Sequence, residues 1–274
     1  MKSIAFGQFY PADSIMHKLD PRMKIILAVI YIVASFVCTN IFSFALLALS
    51  ALALILLSKI PVRIVVKSIK AIIFIMIFTA ILNIFMTKDT ANAPLFSWWI
   101  IKVYASGLYN ALFIVIRIVA MIIGTGIFLT YTTTPIQLTD ALEQLLSPLK
   151  VFKVPVHEFA MMMTIALRFI PTIIEETEKI MAAQKARGAD FTSGSIVKRA
   201  KALIPILIPL FISAFRRAGE LATAMTCRCY RGGTGRTRLN VLKFSYKDFF
   251  ALAVMLIFVA WIVYINIYGP GYTM

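Results

Sequence analysis

Two arginines set between small residues are the chemical features that stand out in this chain of 274 residues. Arg187 lies between Ala186 and Gly188, and Arg228 lies between Cys227 and Cys229. Arginine is charged at any physiological pH. Its planar fork bonds a carboxylate or a helix-end carbonyl through paired N–H groups, which lysine cannot reproduce. Small neighbours let a helix tip sink into a groove while only the guanidinium projects. A cation is also favoured at a helix C-terminus, where free carbonyls leave partial negative charge. The two triplets read as docking tips.

Catalytic chemistry is hard to assemble from the rest. His17 and His157 are the only histidines, and neither sits in a metal-ligand spacing. Cys227 and Cys229 flank an arginine without further ligands, so they read as small residues rather than a metal pair. Arg231-Gly232-Gly233-Thr234-Gly235-Arg236-Thr237 has the glycines of a phosphate cradle but no lysine and the wrong spacing. It reads as a basic helix exit. Glu175, Glu176 and Glu178 cluster beside Lys179, which suggests a solvated helix face. No Ser/His/Asp grouping stands out, and no acidic cluster interrupts the apolar stretches as proton-coupled transport would require. The expectation is a non-enzyme with no cofactor and no metal.

One charge does fall inside an apolar stretch. Arg117 sits about halfway along Val103 to Tyr131, where insertion costs roughly 2.5–3.5 kcal/mol. It must face protein, water or a partner. Either carbonyls or Asn83 on a neighbouring span satisfy it, or it takes part in coupling.

Composition says what must hold these residues. Apolar residues make up 61% and charged residues 15%, against about 45–50% and about 25% in soluble domains. With 21 Phe, 13 Met and a mean hydropathy of +0.88, this is an integral membrane protein. The 28 Lys and Arg against 12 Asp and Glu, a formal +16, fit basic loops at an anionic cytoplasmic leaflet rather than a nucleic-acid surface. The cysteines form no even-numbered disulfide framework. No cleavage site follows the first apolar run, so no removable signal peptide is expected.

Five apolar stretches are long enough to cross a bilayer with some help from flanking cations. They run over residues 23–38, 41–57, 71–86, 103–131 and 249–268, the first opened by the helix-start pair Asp20-Pro21. The third extends backwards through Arg63, Lys67 and Lys70. The Thr39-Asn40 turn is uncharged, whereas residues 132–247 carry 17 Lys and Arg against 8 Asp and Glu. Basic loops stay inside, which puts the N-terminus and the 132–247 segment in the cytoplasm and the C-terminus outside. Reading the first two stretches as one bent helix would strand those cations outside, and is rejected.

The 132–247 segment reads as helices. A short amphipathic helix covers 135–146. A long pattern from about 156 to 187 is apolar at first, bends at Pro171, then turns amphipathic, with Ile173, Thr177, Ile180 and Met181 on one face. It stops at Gly188, as glycine commonly ends a helix. A second pattern repeats the plan, with a cap at Ser195, bends at Pro205 and Pro209, and a stop near Cys229. Each copy has proline, an amphipathic arm, then arginine between small residues.

With these features in place, the chain resembles a known family. Gly7-Gln8-Phe9-Tyr10-Pro11-Ala12-Asp13-Ser14 with Leu19-Asp20-Pro21-Arg22-Met23-Lys24 resembles the N-terminal signature of the transmembrane T component of energy-coupling factor (ECF) transporters. Thr132-Thr133-Thr134-Pro135 leading to Asp140-Ala141-Leu142-Glu143 is similar to that family's first cytoplasmic helix. Arg168-Phe169-Ile170-Pro171, Ala186-Arg187-Gly188 and Arg228 before Tyr230-Arg231-Gly232-Gly233 resemble its paired coupling helices. The resemblance implies an importer of vitamins or trace-metal ions. In it two ABC-type ATPases hydrolyse ATP, a small membrane S component captures the substrate, and this chain joins them as a non-catalytic scaffold. Cys227 and Cys229 depart from the more usual Ala and Gly, which puts the helix-ending geometry at Cys229 in question.

The expected architecture is therefore an all-α integral membrane protein of about five transmembrane helices plus long cytoplasmic coupling helices. Its expected regions are a membrane domain over 1–131, a coupling domain over 132–247 and a last transmembrane helix over 248–274. The alternatives are a self-sufficient secondary transporter or channel, which should show inverted repeats and charged midplane helices, and a lipid-modifying membrane enzyme, which needs clustered carboxylates, Ser or His at the interface. The substrate is not legible in this chain.

Overall fold

The computed structural model describes residues 9–87, 96–98, 101–189, 191, 195–232 and 242–269. Among these residues the regular structure is helical apart from one short hairpin, Phe96–Trp98 (β1) against Ile101–Val103 (β2). Two compact units are present, residues 1–141 with 241–274, and residues 142–240.

The first unit contains a helix over each of the five stretches expected from sequence. They are α1 (Pro21–Val37), α2 (Ile41–Ser58), α3 (Val62–Met86), α4 (Ala105–Thr125) and the last helix, α8 (Tyr246–Tyr268). At 1.5 Å per residue, the 17 residues of α1 extend about 25 Å, enough for a thin hydrocarbon layer with snorkelling flanks. Asp20 caps α1 by accepting from Arg22 N at 2.9 Å, and Pro21 occupies the first turn.

The first two stretches are separate helices. Asn40 caps α2 in a reciprocal box with Ser43, and its side-chain amide donates to the Gly269 carbonyl at 3.0 Å, fastening the turn to the end of α8. Asn266 of α8 donates to the Val37 carbonyl at 2.6 Å.

Aromatic residues fill the centre of this unit. Phe44 of α2 and Phe113 of α4 stack with ring centres 4.6 Å apart. Tyr31 of α1 lies against the backbone of α4 at Gly124, where an added Cβ would stand 2.2 Å from the ring. After Thr125, helix α4 widens into one π turn over Gly126–Tyr131, a local form often found where a helix must redirect its side chains. Tyr131 is buried there and hydrogen-bonds Ser68 of α3 through its hydroxyl.

Asp20, Arg22 and Lys24 of the N-terminal signature take part in a clasp, while Gly7 and Gln8 lie outside the described residues. Both carboxylate oxygens of Asp248 accept backbone N–H groups, one from Asp20 at 2.8 Å and one from Ser245 at 2.7 Å. Lys24, only 2% exposed, donates to the Thr132 carbonyl at 2.8 Å. Arg22 donates to the Leu242 carbonyl at 2.5 Å and lies over Phe244. Together these contacts bind the start of α1 to the start of α8 and to the exit of α4. The clasp is burial-compatible because each charged group meets a carbonyl, an N–H or an opposite charge.

Among the described residues, six helices are long and apolar enough to cross a membrane: α2, α3, α4 with its π turn, α8, and two in the second unit. The latter pair, α6 (Val156–Ala186) and α7 (Ile196–Cys227), are the arms expected from sequence. Before them come α5 (Pro135–Leu145) and a 3-10 turn over Ser147–Phe152.

Candidate coupling site

Helix α7 begins where Ser195 accepts from Lys198 N. Both arms continue through their prolines, α6 through Pro171 and α7 through Pro205 and Pro209. A proline lacks an N–H and leaves the carbonyl four residues earlier without its helical partner. For Pro209 that carbonyl belongs to Pro205, and it accepts instead from the side-chain amide of Gln184 on α6 at 3.5 Å. The arms are therefore linked where one of them is interrupted.

A second link lies nearby. Arg217 of α7 donates to Glu176 of α6 at 2.6 Å. Going from Glu176 to Gln184 along α6, the partners on α7 go back from Arg217 to Pro205. The arms thus cross with antiparallel sense, and their C-terminal tips point away from the crossing in opposite directions.

The two tips share one backbone design. At the end of α6 the Gly188 N–H donates to the Lys185 carbonyl at 3.0 Å and the Ala189 N–H to the Gln184 carbonyl at 3.0 Å. At the end of α7 the Cys229 N–H donates to Thr226 at 2.9 Å and the Tyr230 N–H to Met225 at 3.0 Å. Each set is a Schellman motif, closing the last carbonyls of a helix on the two residues beyond it. Arg187 and Arg228 occupy the same cap position in it. The motif requires a left-handed residue next, supplied by Gly188 at φ 87° and by Cys229 at φ 53°. The helix end at Cys229 therefore forms despite the side chain. Ala186, Arg187, Gly188, Cys227, Arg228 and Cys229 are all exposed. A guanidinium at such an end stands against the negative pole of the helix, free to meet an acidic or carbonyl-lined groove.

Around the α7 tip, Tyr230 is tied back to the base of the unit. His157 Nδ1 donates to Glu143 at 2.9 Å, and its Nε2 accepts from the Tyr230 hydroxyl at 3.4 Å. Sequence reading did not connect these three residues, which lie on α5, on the first turn of α6 and beyond α7.

Arg117 lies in the first unit, on α4. Its guanidinium donates to the Cys38 carbonyl at 2.8 Å, at the end of α1, and lies 5.2 Å from the Phe44 ring centre. Asn83 donates to Thr79 within its own helix.

Glu176 is where the sequence picture changes most. The sequence pattern groups it with Glu175 and Glu178 as a solvated face. Those two are exposed, but Glu176 is half-buried and turned to α7. A signal for this was present in the duplication: Glu176 stands eleven residues before Arg187, and Arg217 stands eleven before Arg228.

Fold and site together define a class: a multi-pass helical membrane protein that carries a duplicated pair of arginine-tipped arms. The chain matches the Cobalt transport protein family, CbiQ, over residues 12–239. It is 52% identical over 259 residues to the energy-coupling factor transporter transmembrane protein EcfT of Clostridium kluyveri, covering 94% of this chain and 95% of that one. It is 51% identical to the EcfT of Ruminiclostridium cellulolyticum, covering 96% and 97% of the two chains. With the EcfT of Bacillus subtilis it shares 46% identity, covering 95% and 97%. The chain belongs to this family of energy-coupling factor transporter transmembrane components.

Proposed function

We propose that this chain is the non-catalytic scaffold through which two ABC-type ATPase subunits drive a small membrane S component. The substrate, a vitamin or another micronutrient, would be captured by the S component and released inward as that subunit reorients. Residues 132–247 act as a cytoplasmic coupling domain between the membrane regions 1–131 and 248–274, with the N-terminus inside and the C-terminus outside. The cation-rich 132–247 segment supports that orientation.

The observation that carries this reading is the pair of matching tips. Two exposed arginines, each at the cap of a Schellman motif, suit two like partners. Ala186 and Gly188 flank Arg187, Cys227 and Cys229 flank Arg228, and all four are small enough to let each tip enter a groove. ATP-driven closure of the ATPase pair would move one arm against the other. The apolar halves containing Pro171, Pro205 and Pro209 then shift beneath the S component.

The test is co-purification with uptake. Replacing Arg187 and Arg228 together with Ala should release both ATPases and abolish uptake while the chain still inserts into the membrane. Replacement by Lys should restore little, because a point charge cannot form the bidentate bond. Uptake at the parent rate by the Ala double variant would defeat the proposal.

A further inference from the structure

The duplicated arms meet at equivalent positions. Counting back from each tip arginine, Glu175 and Glu176 occupy in α6 the places that Arg216 and Arg217 occupy in α7. Four residues nearer each tip than Glu175 and Arg216, Lys179 faces the same comparison with Glu220. Three charges in this stretch are reversed between the copies, whereas Glu178 corresponds to the neutral Gly219. The two copies meet at the equivalent positions Glu176 and Arg217, where identical copies would confront like charges. Here the copies confront opposite ones, and the Glu176–Arg217 bond of 2.6 Å lies at that place.

We propose that Glu176 and Arg217 form the pivot on which the two arms cross, and that they set the relative position of the two tips. The proposal rests on the coupling reading above and adds residues that touch neither ATPase nor substrate. Eleven residues of helix place each tip about 16 Å from the pivot, so a rotation of about 10° moves each tip roughly 3 Å. Equal arms carry equal displacements to two like partners. An ion pair suits a pivot because Coulomb attraction depends little on angle, whereas interdigitated apolar side chains resist turning. The bond from Gln184 to the Pro205 carbonyl, long at 3.5 Å, lies eight residues toward the α6 tip from Glu176 and must yield as the arms turn.

With side chains 30% and 24% exposed, the pair is screened and adds little to stability by itself. Deleting one charge is therefore a weak probe, and reversing one is a strong one because it builds repulsion into the crossing. Glu176→Arg sets a third cation beside Arg216 and Arg217, and Arg217→Glu sets a third anion beside Glu175 and Glu176. Each single reversal should lower ATP-driven uptake by the assembled transporter at least tenfold, and the exchanged double variant E176R/R217E should return to within about threefold of the parent. Uptake by both single variants at the parent level, or a double variant no better than either single, would overturn the pivot.

A second measurement decides the pivot without any ATPase. In the full chain in lipid nanodiscs, spin labels on Cys227 and on Ala186→Cys, with Cys229→Ser, report the distance between the tips. One narrow distribution is expected in the parent, a broadened or shifted one in each single reversal, and recovery in the exchanged pair. Distributions unchanged by the single reversals would refute the proposal. Should R187A/R228A transport normally while the label distances behave as stated, the coupling reading fails and the pivot stands.

Discussion

Cys229 stands at the end of α7 where Gly188 stands at the end of α6, and it holds the same left-handed backbone, φ 53° against 87°. A side chain in that region costs roughly 1–2 kcal/mol, and glycine returns part of the relief as extra freedom of the unfolded chain. Cys229→Gly should therefore leave the α7 tip intact and raise thermal stability slightly, by about 0.5–1 kcal/mol. Gly188→Val should lower it by about 1–2 kcal/mol. Thermal unfolding of the two purified variants in one detergent checks both signs.

Asp248 accepts two backbone N–H groups, from Asp20 and from Ser245, while only 1% exposed. An asparagine has one acceptor oxygen, so its amide would turn an N–H toward one of those donors. Asp248→Asn should cost about 1–3 kcal/mol for the buried group left unsatisfied. The melting temperature should fall, and protease should gain access at the junction of α1 and α8 before the rest unfolds. An unchanged melting temperature would count against the clasp.

Arg117 joins the end of α1 to α4 through the Cys38 carbonyl. Arg117→Met keeps much of the apolar stem but removes the donor and the contact with Phe44. The expected outcome is a loss of about 1–3 kcal/mol, with both ATPases still co-purifying. Loss of the ATPases from a chain that melts like the parent would instead give this arginine a direct part in coupling.

Gly124 gives Tyr31 its place against α4. Gly124→Ala should overpack that contact and cost about 1–3 kcal/mol, and Tyr31→Leu in the same chain should recover part of the loss. A double-mutant cycle on melting temperature measures the coupling, and strictly additive losses would show that the two residues do not share the space.

Much of the fold was legible because it depends on local pattern. Apolar length marked the spans, Asp20-Pro21 marked the start of α1, and Ser195 marked the start of α7. The arm ends were legible at Gly188 by residue type. At Cys229 only the repeat pointed to the same conformation, since cysteine carries no preference for it. The clasp was not legible. Asp20 read as a cap, but nothing in the spacing said that Asp248, at a separation of 228 residues, would meet it.

The amino-acid sequence alone determined that this is a multi-pass helical membrane protein, that it carries two arms of one design, and that each ends on an arginine between small residues. Periodicity, composition and helix-end chemistry act within a few residues, and they set which face of a helix is apolar and where the helix stops. Tertiary structure decided which charge meets which partner: Arg117 with Cys38 across 79 residues, Lys24 with Thr132 across 108, and Glu176 with Arg217 across 41. Periodicity names the face that must be covered but not the neighbour that covers it. That choice comes only when helices pack and buried polar groups must find partners.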